Sequence, residues 1–317
     1  MASIIQKWSR VFVFAAVFLL LAVASPYFLT RENLLNVVRQ AALLTMLGIG
    51  QTMVIVTGGI DLSVGSVLAL SSCVAAEPIK NMTTIWPGVG LALLIGLLCG
   101  TLNGALVAHV NLPPFVATYG LQWVARGAVL VYMAGHITYG FGPAFRFLGA
   151  GHVLGAPMPV VFMVTVFALA WFFMHRTTWG RNVYAVGANR AAADISGVRS
   201  ARLVQSVYMI NGLIVAFVGL LYISRLNAAE PVIGESFALE SIAATLVGGT
   251  PFTGGEGGVA NTVIGALILA LMSNGMNLLG VSQFWQPTVL GAVIVLAIIL
   301  DRVSKNLTSG EGVRRAA

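Results

Sequence analysis

Across residues 40–76 the chain carries a single charged side chain, Asp61. A run so poor in charge cannot face water, and in hydrocarbon every backbone N–H and C=O must be satisfied internally. Only helices and closed barrels manage that. The run lacks the strict polar–apolar alternation of a barrel strand, so it reads as two membrane helices with a carboxylate between them.

The pattern repeats along the chain. About 20 apolar residues cross the hydrocarbon core, with a range of roughly 17 to 25. Ten segments approach that length: 11–29, 40–57, 61–77, 88–110, 115–134, 158–174, 204–224, 237–250, 259–279 and 284–300. Only 9% of residues are charged and 58% are hydrophobic, whereas a soluble domain carries about 25% charge. The expected fold is an all-α polytopic membrane protein of about ten transmembrane helices, one domain over residues 1–317. The third and eighth segments are short for a crossing, as broken or re-entrant helices lining a site are.

Basic residues set the orientation. With ten spans and the N-terminus inside, the cytoplasmic side receives Lys7, Arg10, Arg176, Arg181, Arg190, Arg199, Arg202, Arg302, Lys305, Arg314 and Arg315. The outer loops receive only Arg31, Lys80, Arg146 and Arg225. Both termini are therefore predicted to be cytoplasmic. The same bias explains the net charge of +7 without nucleic acid as a partner. Lys7, Arg10, an apolar run and Ala22-Val23-Ala24 imitate a cleavable signal, but Pro26 just beyond argues against cutting.

Asp61 lies 22 residues beyond Arg39, about 33 Å of helix rise, enough to cross the hydrocarbon. Gly58-Gly59 breaks the chain before it, so Asp61 is expected to cap a helix starting at Leu62. Asn-Gly pairs interrupt three spans at Asn103, Asn211 and Asn274, with Asn277 one turn from Asn274. Buried amides need partners, either other helices or a passing polar solute. Gln51, Asp61, Ser63, Asn103, Thr118, Gln122, Asn211, Asn274 and Asn277 are the candidates for a translocation path. Arg126 must either face the interior or snorkel outward. Gly88, Ala92, Gly96, Gly100, Gly104 and Ala108 put a small residue at every fourth position, a face for close helix packing.

Residues 175–202 form the largest hydrophilic stretch within the membrane domain. Arg176, Arg181, Arg190, Arg199 and Arg202 surround an Ala-rich run, which suits a short amphipathic helix at the cytoplasmic surface. The outer loop 135–157 is rich in Gly, Phe and Pro. The pattern of Gly58 to Gly65 recurs at Gly248 to Gly255, as an internal duplication would leave it. No lysine sits in a phosphate-binding loop. The four histidines lie at span ends, Cys73 and Cys99 read as buried hydrophobes, and no metal-ligand spacing occurs. Nothing resembles an enzyme's nucleophile, and intramembrane carboxylates are too few for a proton relay.

Four stretches in order, "GGIDLSVGSVLAL" at 58–70, "NLPPFVATYG" at 111–120, "TTWGRNVYAVGANRAAADISGV" at 177–198 and "LVGGTPFTGGEGGVANTVIGALIL" at 246–269, resemble the ribose-type permeases of bacterial ABC importers. The resemblance covers roughly residues 33–301. It implies the ABC importer permease fold in the bacterial inner membrane, with two permease copies, identical or different, forming the channel. It also implies a cytoplasmic ATPase with two nucleotide-binding domains and a periplasmic sugar-binding protein. ATP and magnesium would bind that ATPase, leaving this chain no cofactor. Carried over by position, the ATPase-coupling segment spans about 175–203, with Gly180, Arg181, Gly187, Asn189, Ala192, Asp194, Ser196 and Gly197 in the motif and Arg190 and Arg199 beside them. The implied cargo is a monosaccharide or related cyclic polyol. A competing reading gives the basic residues to anionic lipid headgroups. A stand-alone secondary carrier would need pore-facing ion-site carboxylates, for which Asp61 is the one interior candidate. A membrane scaffold would use its polar residues for packing alone.

Overall fold

The computed structural model describes residues 2–282, 284–289, 291–293 and 295–296. The chain forms α1 (Ala2–Ala24), α2 (Arg31–Val56), α3 (Val64–Asn81), α4 (Trp86–Ala108), α5 (Pro114–Met133) and α6 (Pro143–Ala150). Then come α7 (Met158–Arg176), α8 (Thr178–Ala188), α9 (Arg190–Ile195), α10 (Ser200–Leu226), α11 (Phe237–Val247) and α12 (Val259–Leu278). The tenth predicted segment is helical at 286–289, 291–293 and 295–296. Residues 284–285 form a turn, and positions 290, 294 and 297–300, with Arg302, Lys305, Arg314 and Arg315, lie outside the described residues.

The protein is an all-α polytopic membrane protein. Among the described residues five helices, α2, α4, α7, α10 and α12, are long and apolar enough to cross a membrane. Helix α11, with 11 residues, rises only about 16 Å, half of a hydrocarbon core. The shortness of the eighth apolar segment is thus real. The 135–157 loop is not irregular throughout, because Gly142-Pro143 starts α6. Ser224 fixes α6 on α10 by accepting from the Gly149 N–H at 2.8 Å and donating to the Phe145 carbonyl at 2.6 Å.

Helices α2 and α10 form the centre, and α2 is buried continuously from Ala41 to Val56. The small-residue face of α4 packs on α10. A Cβ on Gly96 would meet the Gly212 carbonyl, one on Gly100 the Tyr208 carbonyl, and one on Gly104 the Gln205 backbone. Backbones this close gain dispersion that lipid tails cannot match. Helices α2, α11 and α12 are tied by hydroxyls, with Thr52 Oγ1 2.6 Å from Thr262 Oγ1 and Thr245 donating to the Gly48 carbonyl at 3.2 Å. Helix α1 packs on α12, Leu21 filling the space over Gly275.

Candidate functional site

Three features bear on function. The first is a buried polar knot around Asp61. Helix α2 ends because Thr57 turns its hydroxyl onto the Val54 carbonyl at 2.7 Å and Gly58 takes a φ of +79°, a left-handed step that glycine makes without strain. Asp61 then accepts from the Ser63 N–H at 2.9 Å and the Ser63 hydroxyl at 2.6 Å through Oδ1. Asn211 of α10 donates to Oδ2 at 2.8 Å. Asn103 of α4 donates to Ser63 Oγ at 2.9 Å and stands 3.4 Å from Asp61 Oδ1. Beside the knot, Thr118 of α5 accepts from the Leu62 N–H at 3.2 Å and reaches the Ile60 carbonyl at 3.3 Å. Tyr208 of α10 also donates to that carbonyl, at 3.2 Å.

This corrects the expected cap. Helix α3 starts at Val64, with Ser63 as its N-cap, not at Leu62. The Asp61 carboxylate is taken up by one backbone and several side-chain donors, all neutral, from three elements. Charge-assisted hydrogen bonds of this kind are about twice as strong as neutral ones. The knot therefore pins the 57–63 loop between α4, α5 and α10. Fully buried Gln51, on α2, has no partner among the described residues for either amide atom, and the Asn211 carbonyl oxygen stands over Gly50.

The predicted path residues do not form one lining. Asp61, Ser63, Asn103, Asn211 and Thr118 come together in the knot. Asn274 instead exchanges hydrogen bonds with Asn33, at 2.7 and 3.1 Å, joining α12 to α2. Asn277 accepts from Gln286 at 2.7 Å. Gln122 lies elsewhere, in a cleft of about 60 Å³ with Ser66, Arg126 and Glu235.

The second feature was not foreseen. Residues 230–236 fold back into the bundle before α11 begins. Arg126 faces inward and donates to the carbonyls of Pro231 and Ile233. Gly234, at φ +75°, lays its carbonyl over Gly65 so closely that a Cβ at 65 would collide with it. The folded-back segment presents Glu230 and Glu235, and the first turn of α11 presents Glu240, to a cavity of about 730 Å³, with Gln40, Ser236 and Ser273 also in its wall. Glu235 lines the smaller cleft as well, so the segment is a ridge between two hollows of mixed polar and apolar lining. The signal in the sequence was the acidic spacing 230, 235, 240 in a chain holding 10 acidic residues.

The third feature is α8 with α9. One surface helix was expected; Asn189 divides it into two, capping α9 by accepting from the Ala192 N–H at 3.0 Å. Gly180 and Gly187 face inward. Gly180 lies on the α7 carbonyls of Phe173 and Met174, and Gly187 on the Val56 carbonyl and the Gly255 N–H. Gly255 itself donates to Val56 at 2.8 Å, so the two similar Gly-Gly stretches meet beneath α8. Arg181, Asn189, Arg190, Ala192, Asp194, Ser196, Gly197 and Arg199 are exposed. Ile195 projects at 89% exposure from the tip of α9.

A family model described as the permease component of branched-chain amino acid transport systems matches residues 33–298. The chain belongs to this family. The permease is 41% identical over 286 residues to the ribose import permease of Bacillus subtilis (strain 168), covering 90% of this chain and 89% of the relative. It is 36% identical over 300 residues to the D-allose transport system permease of Escherichia coli (strain K12), covering 94% and 92%. It is 35% identical over 283 residues to the fructose import permease of Rhizobium meliloti, covering 84% and 76%. No solved structure matches it. Family and helices together make it a multi-pass inner-membrane permease, the component of a transport system rather than an enzyme.

Proposed function

We propose that this chain is the membrane subunit of an ABC importer for a monosaccharide or related polyol. It is one domain of about ten spans with both termini in the cytoplasm, and two copies, identical or paired with a homologue, enclose the path. A periplasmic binding protein delivers the solute. A cytoplasmic ATPase, which holds the ATP and magnesium, docks on α8 and α9 through Arg181, Asn189, Arg190, Asp194, Ser196 and Arg199. Gly180 and Gly187 seat those helices on the bundle, and Gly197 ends them. The observation that carries the sugar assignment is the run of relatives named for ribose, D-allose and fructose at 35–41% identity. The stand-alone carrier has no support in these comparisons.

The test is uptake by proteoliposomes holding the permease, its ATPase and its binding protein. Labelled pentoses and hexoses should accumulate only with internal ATP, and leucine should not. Uptake without the ATPase, or of leucine alone, overturns the assignment.

The solute is taken to pass the ridge of Glu230, Glu235 and Glu240 rather than the Asp61 knot, whose donors are already engaged. Carboxylates and amides suit hydroxyl donors, and a wall of one charge sign concentrates cations and repels anions. In a Ser236→Cys, Cys99→Ala chain, a cationic methanethiosulfonate should label about tenfold faster than an anionic one. The ratio should fall toward unity when the three glutamates become Gln. Equal rates from the outset would show a wall without that field, and no labelling would show a wall that solvent does not reach.

A further inference from the structure

A second cavity, of about 480 Å³, lies between α7 and α10, away from the acidic ridge. Val166, Ala170 and Phe173 of α7 form one wall and Ile210 and Ile214 of α10 the other. Trp179 of α8 closes one end, held there by its indole N–H donating to Ser206 at 3.0 Å. Thr177 also borders the cavity, but its hydroxyl donates to the Phe173 carbonyl at 2.6 Å within the helix end. The walls thus offer a polar solute nothing to bind. From Val166 to Thr177 the cavity runs about 16 Å along α7, close to one leaflet's hydrocarbon depth.

The charged residues next in sequence to those that close the cavity are basic. Arg176 immediately precedes Thr177, Arg181 follows Trp179 by two positions, and both are exposed. Arg176 covers the face of Trp171 at 5.5 Å from the ring centroid. Between Glu77 and Asp194 the sequence contains no acidic residue at all. An apolar slot whose closing residues Thr177 and Trp179 are flanked in sequence by exposed arginines matches a molecule with a hydrocarbon tail and an anionic head.

We propose that this cavity holds one acyl chain of an anionic phospholipid, its phosphate meeting Arg176 and Arg181. The lipid lies directly against α8 and so becomes part of the support of the segment that reaches the cytoplasm. The leaflet follows from the orientation proposed above; the site itself does not depend on it.

The purified full-length permease, reconstituted in nanodiscs of equal phosphatidylglycerol and phosphatidylcholine, is released into native mass spectrometry. The expected result is one phosphatidylglycerol retained per chain. Ala170→Phe, which fills the slot, and Arg176→Gln with Arg181→Gln, which alters only exposed residues, should each lower that occupancy at least fivefold. Retention of both lipids alike, retention unchanged in the two variants, or no retention by the wild type overturns the proposal. Loss of a dimer in Ala170→Phe with no change in lipid would give the slot to a second copy instead. Transport is not read, so a wrong sugar assignment leaves this outcome untouched.

Discussion

Replacing Asp61 by Leu should abolish uptake and leave little assembled protein in the membrane, whereas Asp61→Asn should keep uptake within a few-fold of wild type. The difference follows from the donors. Leu strands the Ser63 N–H and hydroxyl and the Asn211 amide in a site that is 3% exposed at residue 61. Each buried donor left without a partner costs about 1–3 kcal/mol, and their sum approaches a marginal total stability of about 5–15 kcal/mol. Asn can still accept from Ser63 through its carbonyl oxygen. Its NH₂ then faces the Asn211 NH₂, a conflict that Asn211 relieves by turning its own carbonyl oxygen inward. Asn211→Asp combined with Asp61→Asn restores one carboxylate and one amide across the same 2.8 Å contact. That double variant should match or exceed Asp61→Asn alone. Membrane abundance and ATP-driven uptake are the two measurements. An Asp61→Asn chain that assembles normally yet transports nothing would assign the charge a part in transport itself.

Local pattern made some of this visible in advance and not the rest. The stripe from Gly88 to Ala108 predicted close packing because spacing along one helix decides which residues share a face, and α10 meets that face. The Asn-Gly pairs at 103 and 211 predicted buried amides needing partners. Which partner each would find depended on tertiary placement. Asn103 and Asn211 meet at Asp61, while Asn274 turns to Asn33, 241 positions away. The fold-back of residues 230–236 was hidden for the same reason. It depends on Arg126 reaching two carbonyls about a hundred positions distant and on a glycine at 65 permitting Gly234 to approach. No window of sequence contains both halves of that arrangement. The surface segment of α8 and α9 was legible as a hydrophilic helical stretch, because its charge and its Ala run are local. Its division at Asn189, and its seat on the Gly-Gly loops, were not.

That seat gives the second large effect. Gly187 carries no side chain where the Val56 carbonyl and the Gly255 N–H close beneath α8. In Gly187→Val the added atoms meet backbone on both sides, so α8 must lift and the Gly255–Val56 bond, 2.8 Å long, must stretch. Val56 ends α2 and leads into the 57–63 loop that carries Asp61, and the same lift would slacken the mechanical path from α8 to the knot. Overpacking of this kind costs about 1–3 kcal/mol, enough to misplace α8 without unfolding the bundle. The expected outcome is a permease at normal abundance that still retains the ATPase on purification, with uptake reduced at least about tenfold. Ile195→Glu should do the reverse. Its exposed side chain holds nothing within the permease, so the fold stays intact. Burying a Leu- or Ile-sized side chain in a partner contributes about 1.5–3 kcal/mol, and a carboxylate there forfeits it, so ATPase retention should fall by about tenfold or more. Ala191→Val, exposed on the same short helix, serves as the control and should alter neither. If Gly187→Val transports normally, movement does not pass through this contact, and if Ile195→Glu retains its ATPase, docking lies elsewhere on the cytoplasmic face.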